Sequence, residues 1–268
     1  MPITARTTAL LLGAATFTAL FALAGVFYLE RVGHIDMAFQ TFLMLKDGTL
    51  EIQHQRFGAA VTQIWPVLAQ AIGCPLKAVL LAHSLGQVLW PALVFAWCCW
   101  LRQWQWATVL LLVLVGMPTH TFYFLSELPQ GLVFLVGLLA WTHAQSDAML
   151  QISSLRKPGA SLQWLLWVGA ITTAFYFHPM MLYVAVFGCL FLILTAFDSA
   201  LRSEGSPSTR YRQGFKNAAR YLVLLAVLAF AALMKYKILP LNWYDAAALE
   251  RTKAYAELWP HWWDIPSN

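Results

Sequence analysis

The sequence predicts an all-α polytopic membrane protein with about seven transmembrane helices, each drawn from one long apolar run. The chain is 60% hydrophobic and only 11% charged, whereas soluble domains are about 25% charged. Its mean hydropathy is +0.63, and its apolar runs lack the alternation that is typical of half-buried strands. Because lipid offers no hydrogen-bond partners to backbone groups, such runs are expected to cross the membrane as helices.

Polar residues and prolines divide the apolar sequence into the predicted spans. The first run follows Arg6 and also has features of a secretory signal peptide, but it is long enough to cross a bilayer. The run Leu162–Phe197 exceeds one crossing, and we divide it at His178-Pro179 because proline ends a helix at the preceding residue. The predicted spans are Thr7–Tyr28, Lys77–Leu101, Trp106–Phe124, Leu128–His143, the two halves of Leu162–Phe197, and Tyr221–Leu239.

Residues 29–76, between the first two spans, are predicted to form a large outer loop. This segment is charged, yet it keeps aromatic and aliphatic residues that a plain linker would not need. Asp36–Leu45 mixes apolar and polar positions in the pattern of a short interfacial helix. Asp47-Gly48 is a turn signal, and Phe57–Ile72, with Pro66 inside it, is predicted as a second surface helix.

Two later segments complete the predicted organisation. Asp198–Arg220 is polar and basic, with Gly205 and Pro207 near its centre, and it is expected to connect the last two spans. Pro240–Asn268 is amphipathic and rich in Trp, which predicts an outer interfacial segment. We therefore expect a transmembrane domain over residues 1–239 and a surface segment over residues 240–268, which leads into a further C-terminal part of a longer protein.

The distribution of Lys and Arg predicts the orientation in the membrane. With the N-terminus in the cytoplasm, the short inner loops are rich in basic residues and hold few acids, as the positive-inside rule requires. This predicts a multi-pass protein of the bacterial inner (plasma) membrane with its large loop on the periplasmic side. Because the basic residues form no stripe, we expect contact with membrane lipid and not with nucleic acid. The inner basic residues are Arg6, Arg102, Arg156, Lys157, Arg202, Arg210, Arg212, Lys216 and Arg220.

This topology places Asp36, Glu127 and His178 on the outer face, each at the mouth of an apolar span. Ionisable groups near the membrane are costly and often functional. Structural alternatives stay open for each of them. Glu127 could stabilise the N-terminus of a helix. His178 could form a hydrogen bond at a helix end, and Asp36 could lie on the solvated face of an interfacial helix.

Three short motifs and one longer run resemble the GT-C-type integral membrane glycosyltransferases, which include protein O-mannosyltransferases and aminoarabinose transferases. The motifs are His34-Ile35-Asp36, Ser126-Glu127-Leu128-Pro129 and Phe177-His178-Pro179. The run is Ile52–Gly58, followed by Thr62-Gln63. The resemblance covers nearly the whole chain as topology and implies a sugar donor on a polyprenyl phosphate.

The resemblance also implies roles for the polar residues of the outer face. Asp36 is the expected base for the acceptor hydroxyl, and Glu127 is expected to orient the acceptor or to hold a cation. A lipid phosphate leaving group needs cationic or hydrogen-bonding partners, and the candidates for it are Arg31, His54, Arg56 and His178. No cofactor is implied with certainty and no metal-ligand spacing is present, although a divalent cation stays open.

Two other functions stay open on the sequence alone. A transporter or flippase of lipid-linked substrate would show internal repeats and polar groups near the bilayer midplane, whereas the ionisable groups here gather at one face. A non-catalytic membrane scaffold would leave Asp36, Glu127 and His178 without a common cavity. The Trp residues of the tail, such as Trp243 and Trp259, fit stacking on a sugar or an interfacial aromatic belt equally well.

Overall fold

The computed structural model describes residues 5–117, 122–123, 126–144, 160–178, 180–204, 206–238 and 243–258. All regular elements in these ranges are helical. Short 3₁₀ turns lie at Gln53–Gln55 and Phe57–Ala59, and a π-turn lies at Met234–Ile238. The α-helices are α1 Ala5–Val26, α2 Tyr28–Val32, α3 Ile35–Asp47, α4 Ala60–Ala71, α5 Leu76–Trp100, α6 Trp104–Gly116, α7 Glu127–Ala144, α8 Ala160–Phe175, α9 Met181–Leu201, α10 Pro207–Leu233 and α11 Trp243–Leu258.

In the described ranges, three helices are long and apolar enough to cross a membrane, namely α1, α5 and α9. A fourth is present if the two halves of α10, which are bent by 43°, form one span. The predicted seven spans are therefore not confirmed. The clearest difference is α6, which has 13 residues and is about 20 Å long, against a hydrocarbon core of about 30 Å.

Most predicted helix boundaries agree with the structure where local chemistry sets them. The first surface helix ends at Gly48, which takes the left-handed conformation with φ 66° as a C-cap, a conformation that glycine adopts without steric cost. The predicted break at His178-Pro179 falls between the end of α8 at Phe175 and the start of α9 at Met181. Pro179 itself lies outside the described residues, as do Pro118 and the basic pair Arg156-Lys157.

Most of the predicted polar connection Asp198–Arg220 is helical. Helix α9 continues through Asp198 to Leu201, where Arg202 pairs with the Asp198 carboxylate at 2.9 Å. Helix α10 then begins at Pro207, and the Ser206 hydroxyl accepts the N–H of Thr209 as an N-cap. A serine cap followed by proline at the first helical position is a strong start signal.

Helix α7 lies at the centre of the fold and is shared by two apolar clusters. One face packs with α1, α5 and α6, and the other packs with α8, α9 and α10. Buried α7 residues on the first side include Val133 and Ala140, and those on the second include Leu135 and Leu139. The surface helices α2, α3 and α4 pack near the first half of α5, at the same end of the helices as the start of α7.

Helix α11 returns to this end of the molecule. Its first residues, Trp243 and Tyr244, contact the ring of His54 in the outer loop, with Tyr244 stacked at 4.2 Å between ring centroids. Residues 240–268 are predicted to form an outer interfacial segment, and the described part of that segment contacts the polar outer loop. Trp259, Trp262 and Trp263 lie outside the described residues.

Candidate functional site

The polar run of the outer loop is fixed against the break between α8 and α9. The backbone N–H of Gly58 donates to the carbonyl oxygen of Tyr176 at 2.9 Å. A Cβ atom added at Gly58 would lie 2.3 Å from Cγ of Phe177, so glycine is needed here for the Phe177 ring to pack against the Gly58 backbone. This contact brings Arg56 and His178, which are far apart in sequence, to one place.

Arg56 and Glu127 form a largely buried ion pair. Nη1 of Arg56 lies 3.3 Å from Oε2 of Glu127, and the two side chains are 13% and 6% exposed. The other carboxylate oxygen accepts a hydrogen bond from Nε2 of Gln40 at 2.8 Å. Glu127 is the first residue of α7, where the positive end of the helix dipole further favours its charge. The pair therefore fixes the Arg56 guanidinium relative to α3 and α7.

A cavity of about 360 Å³ lies beside this ion pair. Its polar wall is formed by Arg56 from the outer loop, His178 from the α8–α9 break, and Tyr244 and Asp245 from α11. This size falls within the range of small-molecule sites. The remaining lining residues are Met180, Leu182, Tyr183, Ala248, Leu249 and Thr252.

Two features of Arg56 orient it for ligand binding. Its guanidinium carbon lies 5.5 Å from the centroid of the Tyr244 ring, which holds the planar group from the α11 side. Its Nε is buried, and no acceptor for it is present among the described residues. Since an unpaired buried donor is costly, an anionic oxygen that reached Nε would stabilise this arrangement of Arg56.

His178 is a neutral hydrogen-bond donor at neutral pH. Its Nδ1 accepts the backbone N–H of Met180 at 3.2 Å, so the ring proton of the neutral form is on Nε2. Burial lowers the pKa of His178 to about 4, helped by the positive charges of Arg56 and Lys235 and opposed by Glu127 and Asp245. The imidazole therefore offers a hydrogen bond and not a positive charge.

Asp245 and Lys235 are buried charged residues that the sequence did not indicate as site residues. Asp245 is 6% exposed and Lys235 is 5% exposed. Nζ of Lys235 lies 5.3 Å from the centroid of the Tyr176 ring. The backbone carbonyl of Tyr176 is the one that accepts the N–H of Gly58. The acid at the start of a Trp-rich tail was the available signal for Asp245.

Arg31, predicted to bind the donor phosphate, is placed elsewhere. It is 0% exposed, and its Nη1 donates to the carbonyl oxygen of Ser84 at 2.7 Å and to the Ser84 hydroxyl at 2.6 Å. Its Nε donates to the carbonyl oxygen of Phe122 at 3.0 Å, and burial lowers its pKa to about 10. Contrary to the prediction, Arg31 joins α2 to α5 and does not line the cavity.

The other predicted site residues have mixed positions. Asp36 is the second residue of α3, one turn before Gln40, and its side chain lies outside what the structure describes, so its role as a base stays a prediction. His54 stacks on Tyr244 and does not line the cavity. Glu127 does not line the cavity either, but it pairs with Arg56, which does. Among the described residues, no group of three or more His, Cys, Asp or Glu could hold a metal ion.

Comparison with protein families, with curated proteins and with solved structures finds no match for this chain. The cavity is therefore the feature of this chain that bears most directly on its function. It combines a fixed guanidinium, a neutral imidazole donor, a buried carboxylate and tyrosine rings, all at one end of apolar helices. Such a set can bind a phosphate group and polar hydroxyls together.

Proposed function

We propose that this protein is a membrane glycosyltransferase that moves a sugar from a polyprenyl-phosphate donor to an acceptor on the outer face of the membrane. The observation that carries the proposal is the position of Arg56. Arg56 lines a cavity at the end of apolar helices and forms an ion pair with Glu127. Its buried Nε has no acceptor among the described residues.

The wall of the cavity supports a donor that arrives from the lipid. Met180 and Tyr183 line the cavity beside the start of α9 and are 52% and 71% exposed. Because α9 is one of the candidate spans, these exposed residues lie where a membrane helix meets the interface. A lipid-linked phosphate could then enter from the side while its isoprenoid chain stays among apolar side chains.

The phosphate of the donor is recognised by Arg56 and His178 in this proposal. Arg56 offers Nε and its charge, and His178 offers the Nε2 proton of a neutral ring. Charge-assisted hydrogen bonds to phosphate oxygens are short and strong, and they strengthen as negative charge develops on the leaving group. Glu127 and Gln40 act as positioning residues, since they fix Arg56 without reaching the cavity.

Transfer then requires a carboxylate that takes the proton of the acceptor hydroxyl as its oxygen attacks the anomeric carbon. The sequence assigns this role to Asp36. Tyr183 and Tyr244 offer ring faces for the sugar. We propose the same orientation as the sequence analysis, with seven membrane helices, a cytoplasmic N-terminus and the cavity on the periplasmic side of the bacterial inner membrane.

The proposal is tested with the purified full chain in liposomes that contain a polyprenyl-phosphate-linked hexose or pentose and an envelope extract as acceptor. Transfer of the radiolabelled sugar into the extract is expected. Movement of intact donor between leaflets without loss of the sugar would indicate a flippase. Neither transfer nor movement with any donor would contradict the proposal and favour a scaffold.

A further inference from the structure

Asp245 is the carboxylate that lines the cavity in the described part of the chain. It shares this wall with Arg56 and His178, and only 6% of the residue is exposed. Burying a carboxylate is costly unless it is paired or used. Asp245 has charged neighbours in this wall. Its carboxylate raises the pKa of His178, which burial, Arg56 and Lys235 lower.

Asp245 lies in the wall of the same cavity as the phosphate-binding groups, where an acceptor hydroxyl could reach it. In the proposed function, Arg56 and His178 bind the leaving phosphate, and the anomeric carbon lies within the cavity next to them. An acceptor hydroxyl must approach that carbon on the side away from the phosphate. Asp245 is presented by α11, whereas Arg56 and His178 come from the outer loop and the α8–α9 break, so it offers a carboxylate from a different wall element.

We propose that Asp245, in place of the Asp36 that the sequence indicates, takes the proton from the acceptor hydroxyl, a role that rests on the proposed glycosyltransferase function. The hydroxyl oxygen forms the new bond to the anomeric carbon, and the bond from that carbon to the phosphate oxygen breaks. Its electron pair leaves with the polyprenyl phosphate, which stays bound to Arg56 and His178. The hydroxyl proton goes to the Asp245 carboxylate, so that no oxidant, reductant or further reactant is needed.

A purely structural role for Asp245 has a clear basis and needs its own test. Asp245 lies in the first turn of α11, where an acid stabilises the helix through its dipole, and its charge also acts on Lys235. A structural residue would affect folding and donor affinity. A base would affect the turnover number and would be replaceable by a small carboxylate supplied in solution.

The test measures kcat and KM of the purified full chain with a polyprenyl-phosphate-linked sugar and the acceptor fraction that the wild type glycosylates. Asp245→Asn is expected to lower kcat by about 10²- to 10⁴-fold, the usual contribution of a general base, with little change in the KM for donor. Asp245→Ala should regain activity when formate is added, because formate can occupy the space that the carboxylate leaves. Glu250→Gln is the matched control on the same helix, since Glu250 is exposed and pairs only with Lys253 among described residues, and it should match the wild type.

The outcomes separate this inference from the function on which it rests. No transfer by the wild type with any donor contradicts the proposed function. Transfer by the wild type together with Asp245→Asn activity within about threefold of it overturns the role of Asp245 alone, since a base contributes far more. Loss of donor binding without formate rescue also overturns it and indicates a structural role. If Asp245→Asn fails to fold, the double variant of Asp245→Asn and Lys235→Met removes both charges. The same loss of kcat in that variant supports the role of Asp245 as a base, and a kcat near the wild-type value overturns it.

Discussion

The Arg56–Glu127 ion pair allows the most quantitative prediction. Glu127→Gln keeps the size of the side chain but removes the charge that lies 3.3 Å from Nη1 of Arg56. With the two side chains 13% and 6% exposed, the guanidinium loses its counter-ion in a largely buried place. Removal of one partner of a buried pair costs about 3–5 kcal/mol, and we expect the lower end because the contact is single.

The assay is unfolding of the purified protein by SDS titration in mixed micelles, followed by circular dichroism. Glu127→Gln is expected to lower the free energy of unfolding by about 3 kcal/mol. Glu250→Gln breaks an ion pair whose side chains are 59% and 70% exposed, and it should cost less than about 1 kcal/mol.

A double-mutant cycle with Arg56→Gln separates the pair from its surroundings. We expect the sum of the two single substitutions' effects on the free energy of unfolding to differ from the effect of the double substitution by more than about 1 kcal/mol, because contacting residues couple. Additive effects, or a Glu127→Gln variant as stable as the wild type, would refute the view that this pair fixes Arg56 at the cavity.

Three further predictions concern the surroundings of the cavity. Gly58→Ala should destabilise the protein by about 1–3 kcal/mol, the usual cost of overpacking, because the new Cβ would meet the Phe177 ring; Gly25→Ala, with nothing within 4 Å of its Cβ, serves as the control in the same unfolding assay. His178 has a pKa of about 4 against an ordinary 6.5, so the unfolded chain binds the proton first and stability should fall as pH decreases from about 6.5 towards 4. In unfolding measured across that range, His178→Gln should show a weaker pH dependence, and an unchanged slope would contradict the assigned neutral state. Arg31→Met should lower stability while the KM for donor stays at the wild-type value, and a large rise in that KM would return Arg31 to the binding site.

Local signals in the sequence were sufficient for much of the helical pattern. The end of α3 at Gly48 and the break around His178 depend on the backbone chemistry of glycine and proline, which acts within a few residues. Span lengths were less predictable. The apolar run Trp106–Phe124 indicated a full crossing, but α6 ends at Gly116, because hydropathy reports the composition of a run and not the continuity of its helix.

The candidate site shows the same division between local and non-local information. Arg31 and Arg56 belong to one polar segment and are chemically equivalent in sequence. Only contacts with distant residues distinguish them, since Arg31 is fixed by the Ser84 side chain and backbone whereas Arg56 pairs with Glu127 beside a cavity. Asp245 joins this place because α11 returns to the outer loop, which no local pattern indicates.

The most direct measurement of the central claim is the release of free polyprenyl phosphate from a polyprenyl-phosphate-linked sugar by the purified protein in the presence of the acceptor extract. The wild type should release it in proportion to sugar transferred, and Arg56→Gln should lose most of this activity. Arg202→Gln, which alters an exposed pair with Asp198, should keep it. Equal release by wild type and Arg56→Gln, or none by the wild type, would contradict the assignment of this cavity to lipid-linked sugar transfer.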